Sequence, residues 1–476
     1  MRKTHCGHFG KHAVTDRKRV DRPVIEPIYS QSKPSQRIEL GLVPVEFVHG
    51  GKIYQDTAKV SMQFTPNNRL VFVIPDEGKP FLLGLDLMKV WDGKLNLPSR
   101  GVTLDALYVG SSGDDGSGLA FVPRWSPVTV TPPSKDIHTA VFHLFNLPPF
   151  HGPDDYIIQP STGSVLCGLV NLRADGWAIT IAALENTRDL CGELKRQGTC
   201  IVTHMGRIER EDGSAFTSDQ LDDILHCMHY FLSFALGRWA GVALPIGFDV
   251  TGNRVFEEWG MPIVAPGAWN GTCSWFDDRH AELLPEVFTG FMVLWKDKTW
   301  SAAFREALHW YLGANERATG ITVEMGLILA QTALELLAWT YCVQSRKMIS
   351  ADAFEPRGLS AADKTRLLAS SLGISLDIPA TMSALRAKRG SRWQDAADAI
   401  TGIRNAVVHP RVKKNILHEA YYEAWNLSMW YLDMVFLRLC GHMGKYSNRL
   451  RPGRWAGQVE SVPWAKTALD KAGKTQ

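Results

Sequence analysis

The last part of the chain carries apolar residues at helical spacing over unusually long segments. In residues 413–440 such positions recur every three or four residues, and they are Leu417, Ala420, Tyr421, Ala424, Leu427, Tyr431, Leu432, Val435 and Leu439. Segment 321–343, which contains MGLILAQTALELLAWTYCV, is more apolar still. A helix with a continuous apolar stripe must bury that stripe against other elements. We therefore expect a helical bundle in this part of the protein.

The first half of the chain has a different pattern. Short runs rich in Val and Phe are separated by Gly, Pro and Asn, as in KVSMQFT, RLVFVIP, TAVFHLFNL and WAITIAAL. These runs are typical of strands in a sandwich or barrel. Thr217 and Gln220 have capping-box spacing at the start of a predicted helix, and Thr251-Gly252-Asn253 predicts a hairpin turn. Further helices are predicted over 279–295, 299–313, 359–372 and 391–408.

The expected fold class is therefore α+β and multidomain, with a mostly β, sandwich- or barrel-like N-terminal domain before an α-helical bundle. A chain of 476 residues exceeds one compact core. Residues 1–37 hold nine Lys and Arg against three Asp and Glu, which favours a disordered arm. The expected regions are a disordered basic arm (1–38), a mostly β sensor or binding domain (39–215), a mixed α/β connecting region (216–315), the bundle (316–442) and a basic tail (443–476).

Composition excludes several classes of protein. The net charge is only +3, and the eight cysteines include no Cys-x-x-Cys pair, so neither a zinc ribbon nor a disulfide framework is expected. Segment 321–343 is interrupted by Gln331 and Glu335, so we interpret it as a buried helix and expect no membrane partner. His226 and His229 could share a metal, but further ligands are not evident nearby, so we expect no metal and no cofactor.

The stretch TGIRNAVVHPR, residues 401–411, combines residue types that can act on phosphate esters. Arg404 and Asn405 follow the apolar side of a predicted helix, and Pro410 disfavours helical geometry at His409. The helix should therefore end near Val408. A change of chain direction at that point can bring His409 and Arg404 into one cleft. The alternative is that both are ordinary structural residues, and the residues by themselves leave this open.

RNAVVHP resembles the Arg-x(4–6)-His motif of HEPN domains, in which a polar residue often follows the arginine and a proline follows the histidine. The order of elements over about 320–440 is also similar: a long helix with an acidic residue, a variable stretch, the motif helix and a long final helix. A HEPN-like bundle behind an unrelated N-terminal domain further resembles the layout of ApeA-type antiphage proteins.

This resemblance implies a metal-independent endoribonuclease that acts as a homodimer, and the scattered cysteines indicate a cytoplasmic location. His409 would assist proton transfer from a ribose 2′-hydroxyl, Arg404 would stabilise the scissile phosphate, and Asn405 would orient the phosphate or His409. Cations that flank the motif would bind RNA, and they are Arg389, Arg392, Arg411, Lys413 and Lys414. The layout suggests a regulated toxin of antiphage defence (abortive infection) with a phage-derived or small-molecule trigger at the N-terminal domain.

Two observations leave other interpretations open. HEPN toxins silenced by nucleotidyltransferase partners carry a Tyr two residues after the His, where this chain has Arg411. Gly402 could permit close approach of a second protomer, or could pack within its own bundle. The alternative function is a catalytically silent HEPN-like module for dimerisation or nucleic-acid binding.

Overall fold

The structure is a computed structural model that describes residues 25–64, 68–75, 90–111, 118–151, 156–158, 165–197, 200–261, 266, 273–316, 322–355, 358–390, 392–409 and 418–465. Six antiparallel strands form a closed barrel in the order β1-β2-β3-β6-β5-β4. They are β1 (Ile38–His49), β2 (Lys52–Gln63), β3 (Arg69–Pro75), β4 (Trp91–Leu97), β5 (Val102–Ser111) and β6 (Gly118–Pro123). The barrel closes where Phe47 of β1 pairs with Leu95 of β4. Inward-facing rings fill it: those of Tyr108 and Phe121 lie 4.5 Å apart.

A second sheet follows the barrel in the chain. Its region contains β7 (Val128–Thr129), β8 (Thr139–Phe145), β9 (Tyr156–Ile158), β10 (Val165–Cys167), β11 (Leu169–Ala174), β12 (Trp177–Ala183), β13 (Val202–Arg210), β14 (Gly241–Phe248) and β15 (Arg254–Trp259). β9 and β10 form a separate pair, and the other strands form a seven-stranded sheet in the order β11-β12-β13-β8-β14-β15-β7.

Ten α-helices are described. They are α1 (Thr187–Gln197), α2 (Ser218–Leu236), α3 (Leu283–Lys296), α4 (Ser301–Asn315), α5 (Val323–Trp339), α6 (Ala351–Phe354), α7 (Ala361–Leu372), α8 (Ser383–Arg386), α9 (Ala396–Val408) and α10 (His418–Leu439). A π-helical turn, Thr340–Ser345, extends α5. α5 is the central helix of the bundle and packs against α4, α7, α9 and α10. Two short strands, β16 (Lys445–Tyr446) and β17 (Glu460–Ser461), pair after α10.

The seven-stranded sheet lies between the barrel and the helices. Successive residues of β8 face opposite sides, as strand geometry requires. Phe142 and Leu144 join the large core shared with the helices, whereas Val141 and Phe145 pack against the core shared with the barrel. The protein therefore has two main cores that meet at one sheet.

These features confirm the expected fold class: a mostly β N-terminal region with a closed barrel, then a helical C-terminal region. Local predictions are also confirmed. Thr217 and Gln220 form a reciprocal capping box at the start of α2, and β14 and β15 form the predicted hairpin. The segment Val323–Ser345 is apolar and long enough to cross a membrane, but 61% of its most apolar window is buried inside the protein. It is a core helix of the bundle.

Other parts differ from the expectations. The helix α1 lies within the region predicted to be mostly β. Its buried side is formed by Leu190, Cys191 and Leu194. Of the predicted disordered arm, residues 1–24 lie outside the described residues. The part from Ile25 onward is packed: Ile25 and Tyr29 are buried in the core next to the barrel.

Candidate functional site

The motif helix is α9, and its ends follow from local sequence. Its N-cap is Asp395, whose side chain accepts a hydrogen bond from the Asp398 N–H at 2.9 Å. The helix thus begins later than the predicted 391, because the side chain of Asp395 caps it at that point. It ends at Val408, as predicted. His409 is extended (φ −114°), its side chain is exposed, and its N–H donates to the Asn405 carbonyl at 2.9 Å.

Asn405 connects the two other residues of the motif. Arg404 Nη1 donates to Asn405 Oδ1 at 3.2 Å, while the Asn405 backbone carbonyl holds the N–H of His409. Arg404 is half-buried, and its Nε has no hydrogen-bond partner among the described residues. A buried guanidinium donor without an acceptor is costly. An anionic oxygen of a ligand would satisfy it.

The two acidic residues near the motif, Asp395 and Asp398, form ion pairs with an arginine of another helix. Arg366 of α7 pairs with Asp395 (Nε to Oδ2, 2.7 Å) and with Asp398 (Nη2 to Oδ1, 2.9 Å). These hydrogen bonds, led by the one to Asp395, raise the pKa of Arg366. Sequence analysis missed Arg366, because no local pattern connects it to α9. Its effect is to neutralise the two carboxylates at the start of the helix and to leave Arg404 without a carboxylate partner among the described residues.

Glu335 of α5 has its described partners on α5 and α7. Gln331 Nε2 donates to Glu335 Oε1 at 3.0 Å, and Lys364 Nζ lies 3.9 Å from Glu335 Oε2. The described ion pair of Glu335 is therefore with α7 rather than with α9.

Two of the five predicted RNA-binding cations, Arg389 and Arg392, lie within the described residues. Arg389 donates to the Gln394 carbonyl at 3.4 Å, and Arg392 lies over the Trp393 ring at 5.6 Å. Both precede α9 in the chain. Arg411, Lys413 and Lys414 lie outside the described residues.

A cavity of about 370 Å³ lies between α2, α4 and the β14–β15 end of the sheet. His226 and His229 of α2 line it, together with Trp239, Glu258 and His309. The last three were missed by sequence analysis, since they come from separate elements. In the described part of the chain, no group of three or more His, Cys, Asp or Glu is placed to hold a metal ion.

The fold and the motif define a three-layer α+β protein of barrel, sheet and helical bundle, with an Arg-Asn pair and a helix-end His on one bundle helix. Residues 132–270 match the family model of the YopA central domain, and residues 297–461 match that of the YopA C-terminal domain. The first segment includes most of the seven-stranded sheet, and the second includes α9.

A protein of Bacillus subtilis (strain 168), described as the SPbeta prophage-derived uncharacterized protein YopA, is 26% identical over 306 residues. The matched region covers 62% of this chain and 66% of that protein. No solved structure matches the chain.

Proposed function

We propose that the protein is a metal-independent HEPN-type endoribonuclease that uses Arg404, Asn405 and His409. The observation that carries the proposal is the position of Asn405, which holds the guanidinium with its side chain and the backbone of His409 with its carbonyl. Asn405 thereby contacts the guanidinium of Arg404 and the backbone of His409, the two residues that RNA cleavage by this route requires. The exposed His409 is open to a macromolecular substrate.

The chemistry needs a base and a group that stabilises negative charge. His409 accepts the proton of a ribose 2′-hydroxyl, and the 2′-oxygen attacks the adjacent phosphorus. The bond from phosphorus to the 5′-oxygen breaks, and that oxygen takes up a proton. The Arg404 guanidinium faces the phosphate, whose charge grows in the transition state. Its Nε is buried and has no hydrogen-bond partner among the described residues, so contact between that atom and a phosphate oxygen requires the side chain to move.

The proposal includes a cytoplasmic homodimer in which two copies of α9 contribute to one cleft. The biological setting of the proposal is a regulated toxin of antiphage defence (abortive infection). The trigger would act at the β region. The rival proposal is a silent module that dimerises or binds RNA without cutting it.

The test is RNA cleavage by the purified protein with EDTA present. Wild type should cleave, and His409→Ala and Arg404→Ala should each lower the rate by about 10²-fold or more. Arg404→Lys should recover only part of the activity, because a lysine cannot form the two-pronged contact with phosphate. Binding of the same RNA is measured in parallel.

His151→Ala is the control, since His151 is also exposed but belongs to a loop outside the bundle. It should cleave like wild type. Full activity in His409→Ala would refute the assignment of the base. A wild type that binds RNA and never cleaves it would favour the silent module.

A further inference from the structure

The cavity between α2, α4 and the sheet has walls suited to a small planar molecule. Tyr230 and Trp239 supply aromatic rings at a centroid distance of 5.5 Å, and Val242 and Ala243 of β14 add apolar surface. Charge is contributed by Asp222 of α2 and Glu258 of β15. Among the described residues that line the cavity, none is a Lys or an Arg. The wall is therefore aromatic with acidic groups, which disfavours a phosphorylated ligand.

One polar atom in this cavity lacks a hydrogen-bond partner. His229 is 6% exposed, and its ring stacks on Trp239 at 5.1 Å. The ring forms a hydrogen bond with the backbone of Ala240. The Ala240 N–H already donates to Ser233 Oγ, so the Ala240 group that bonds the ring is its carbonyl. A carbonyl can only accept, and His229 Nε2 is therefore the protonated nitrogen that donates to it. Nδ1 has no partner among the described residues.

Nδ1 of His229 is consequently an unprotonated acceptor. Burial lowers the pKa of His229 to about 4, so the ring stays neutral near pH 7. A neutral imidazole that donates from one nitrogen can only accept at the other. The atom therefore lacks an N–H or O–H donor, and His229 is one of the residues that line the cavity.

The carboxylates require a different group. Glu258 Oε2 accepts a long hydrogen bond from Thr129 Oγ1 at 3.5 Å, and neither Glu258 nor Asp222 forms an ion pair with a described cation. Burial, followed by the charge of Asp222, raises the pKa of Glu258 to about 7. Arg305, the nearby cation of α4, lies over the Trp295 ring at 4.8 Å. Two acidic groups without a cation favour a positively charged ligand.

We propose that this cavity binds a small organic cation that has a planar aromatic body and N–H donors. An N–H would donate to His229 Nδ1, the positive charge would face Glu258 and Asp222, and the ring would lie against Trp239 and Tyr230. Cations are also attracted to the faces of such rings. The site does not depend on the nuclease motif, which lies on α9.

The test uses three probes of nearly equal shape and different charge: benzamidine, which is a cation at pH 7, neutral benzamide, and anionic benzoate. Binding to the full chain is followed by calorimetry and by tryptophan fluorescence. Benzamidine should bind saturably, benzamide about tenfold more weakly or worse because a charge-assisted contact is lost, and benzoate weakest of all. Equal affinity for all three, or no binding of benzamidine, would overturn the proposal.

Variants locate the binding site. His229→Phe retains the ring stack and removes the acceptor, and Glu258→Gln removes the charge. Each should weaken benzamidine binding about tenfold or more. Glu209→Gln is the matched control, since Glu209 on β13 also accepts from a threonine hydroxyl, that of Thr139, at 3.2 Å. Thermal unfolding checks that the variants are folded. Wild-type affinity in both His229→Phe and Glu258→Gln would exclude this cavity, whatever the result of the RNA experiments.

Discussion

His143 shows how one buried residue joins distant parts of the chain. Its Nε2 accepts from the Tyr29 N–H at 3.0 Å, and its Nδ1 lies 3.1 Å from the Leu244 carbonyl, to which it donates. Burial lowers the pKa of His143 to about 4. The two hydrogen bonds fix the neutral form of the ring and attach the segment before β1 to the seven-stranded sheet.

This residue makes stability depend on pH in a defined direction. In the unfolded chain a histidine titrates near pH 6.5, whereas folded His143 stays neutral to about pH 4. Between these values the unfolded state binds an extra proton, so the free energy of unfolding falls as the pH falls, by up to about 1.4 kcal/mol per pH unit for this group.

His143→Gln keeps a donor and an acceptor but cannot be protonated, so its stability curve from urea titrations should be flatter over pH 4 to 6.5. His151→Gln, which removes an exposed histidine outside the core, is the comparison variant. An unaltered slope in His143→Gln would contradict the buried neutral assignment.

At the scale of the element, Gly402 of α9 and Gly326 of α5 differ in how closely other elements pack against them. Among the described residues, a Cβ added at Gly402 of α9 would meet only Trp393, at 3.8 Å, which is an ordinary contact. A Cβ at Gly326 of α5 would lie 2.8 Å from both the Ala314 carbonyl oxygen and Trp425 Nε1. Gly326 therefore serves close packing of α5 against α4 and α10. Gly402 has space beside it within its own protomer, as a proposed contact between two copies of α9 would require.

We expect Gly402→Ala to stabilise the protein by about 1 kcal/mol, because alanine is the better helix former. Gly326→Ala should destabilise it by about 1–3 kcal/mol through overpacking. Thermal and urea unfolding measure both. Gly402→Gln, which fills the open space, should lower the dimer fraction in light scattering if α9 pairs with its copy. A variant that remains fully dimeric would place the dimer contact elsewhere.

At the scale of the whole molecule, a buried polar network anchors the segment after α10. Arg449 Nε pairs with Asp433 of α10 at 2.6 Å, and both side chains are almost completely buried. Arg449 also donates to Asn315 Oδ1 (3.1 Å), and Tyr311 donates to Asp433 (2.7 Å). This network connects Arg449, which belongs to the predicted basic tail, to α4 and α10. That part of the tail is therefore packed in the core.

Arg449→Met should reduce stability by about 3–5 kcal/mol, since it leaves Asp433 charged, buried and unpaired. Adding Asp433→Asn should restore part of the loss, because the second change removes the unpaired charge. Chemical unfolding of both single variants and the double variant provides the measurement. Arg451→Met is the control, as Arg451 is exposed and pairs only loosely with Glu460 (3.7 Å). A loss no greater than that of the control would mean that the network does not hold the tail.

The sequence alone determined the features that depend on neighbours along the chain. The capping box at Thr217, the β14–β15 hairpin and the helix end at Val408 all follow from local hydrogen bonding or from the steric effect of a proline. The adjacency of Arg404 and Asn405 was visible for the same reason. Long apolar stripes likewise predicted the bundle, because such stripes have to be buried.

Only the tertiary structure decided which distant groups meet. The pairing of β1 with β4 closes the barrel. Arg366 forms an ion pair with the N-cap carboxylate of α9, and Arg449 forms one with Asp433. The acceptor left free on His229 depends on the carbonyl of Ala240 and on the cavity beside it. Each of these contacts results from packing between elements that are distant in the sequence, so the spacing of residues along the chain does not predict it.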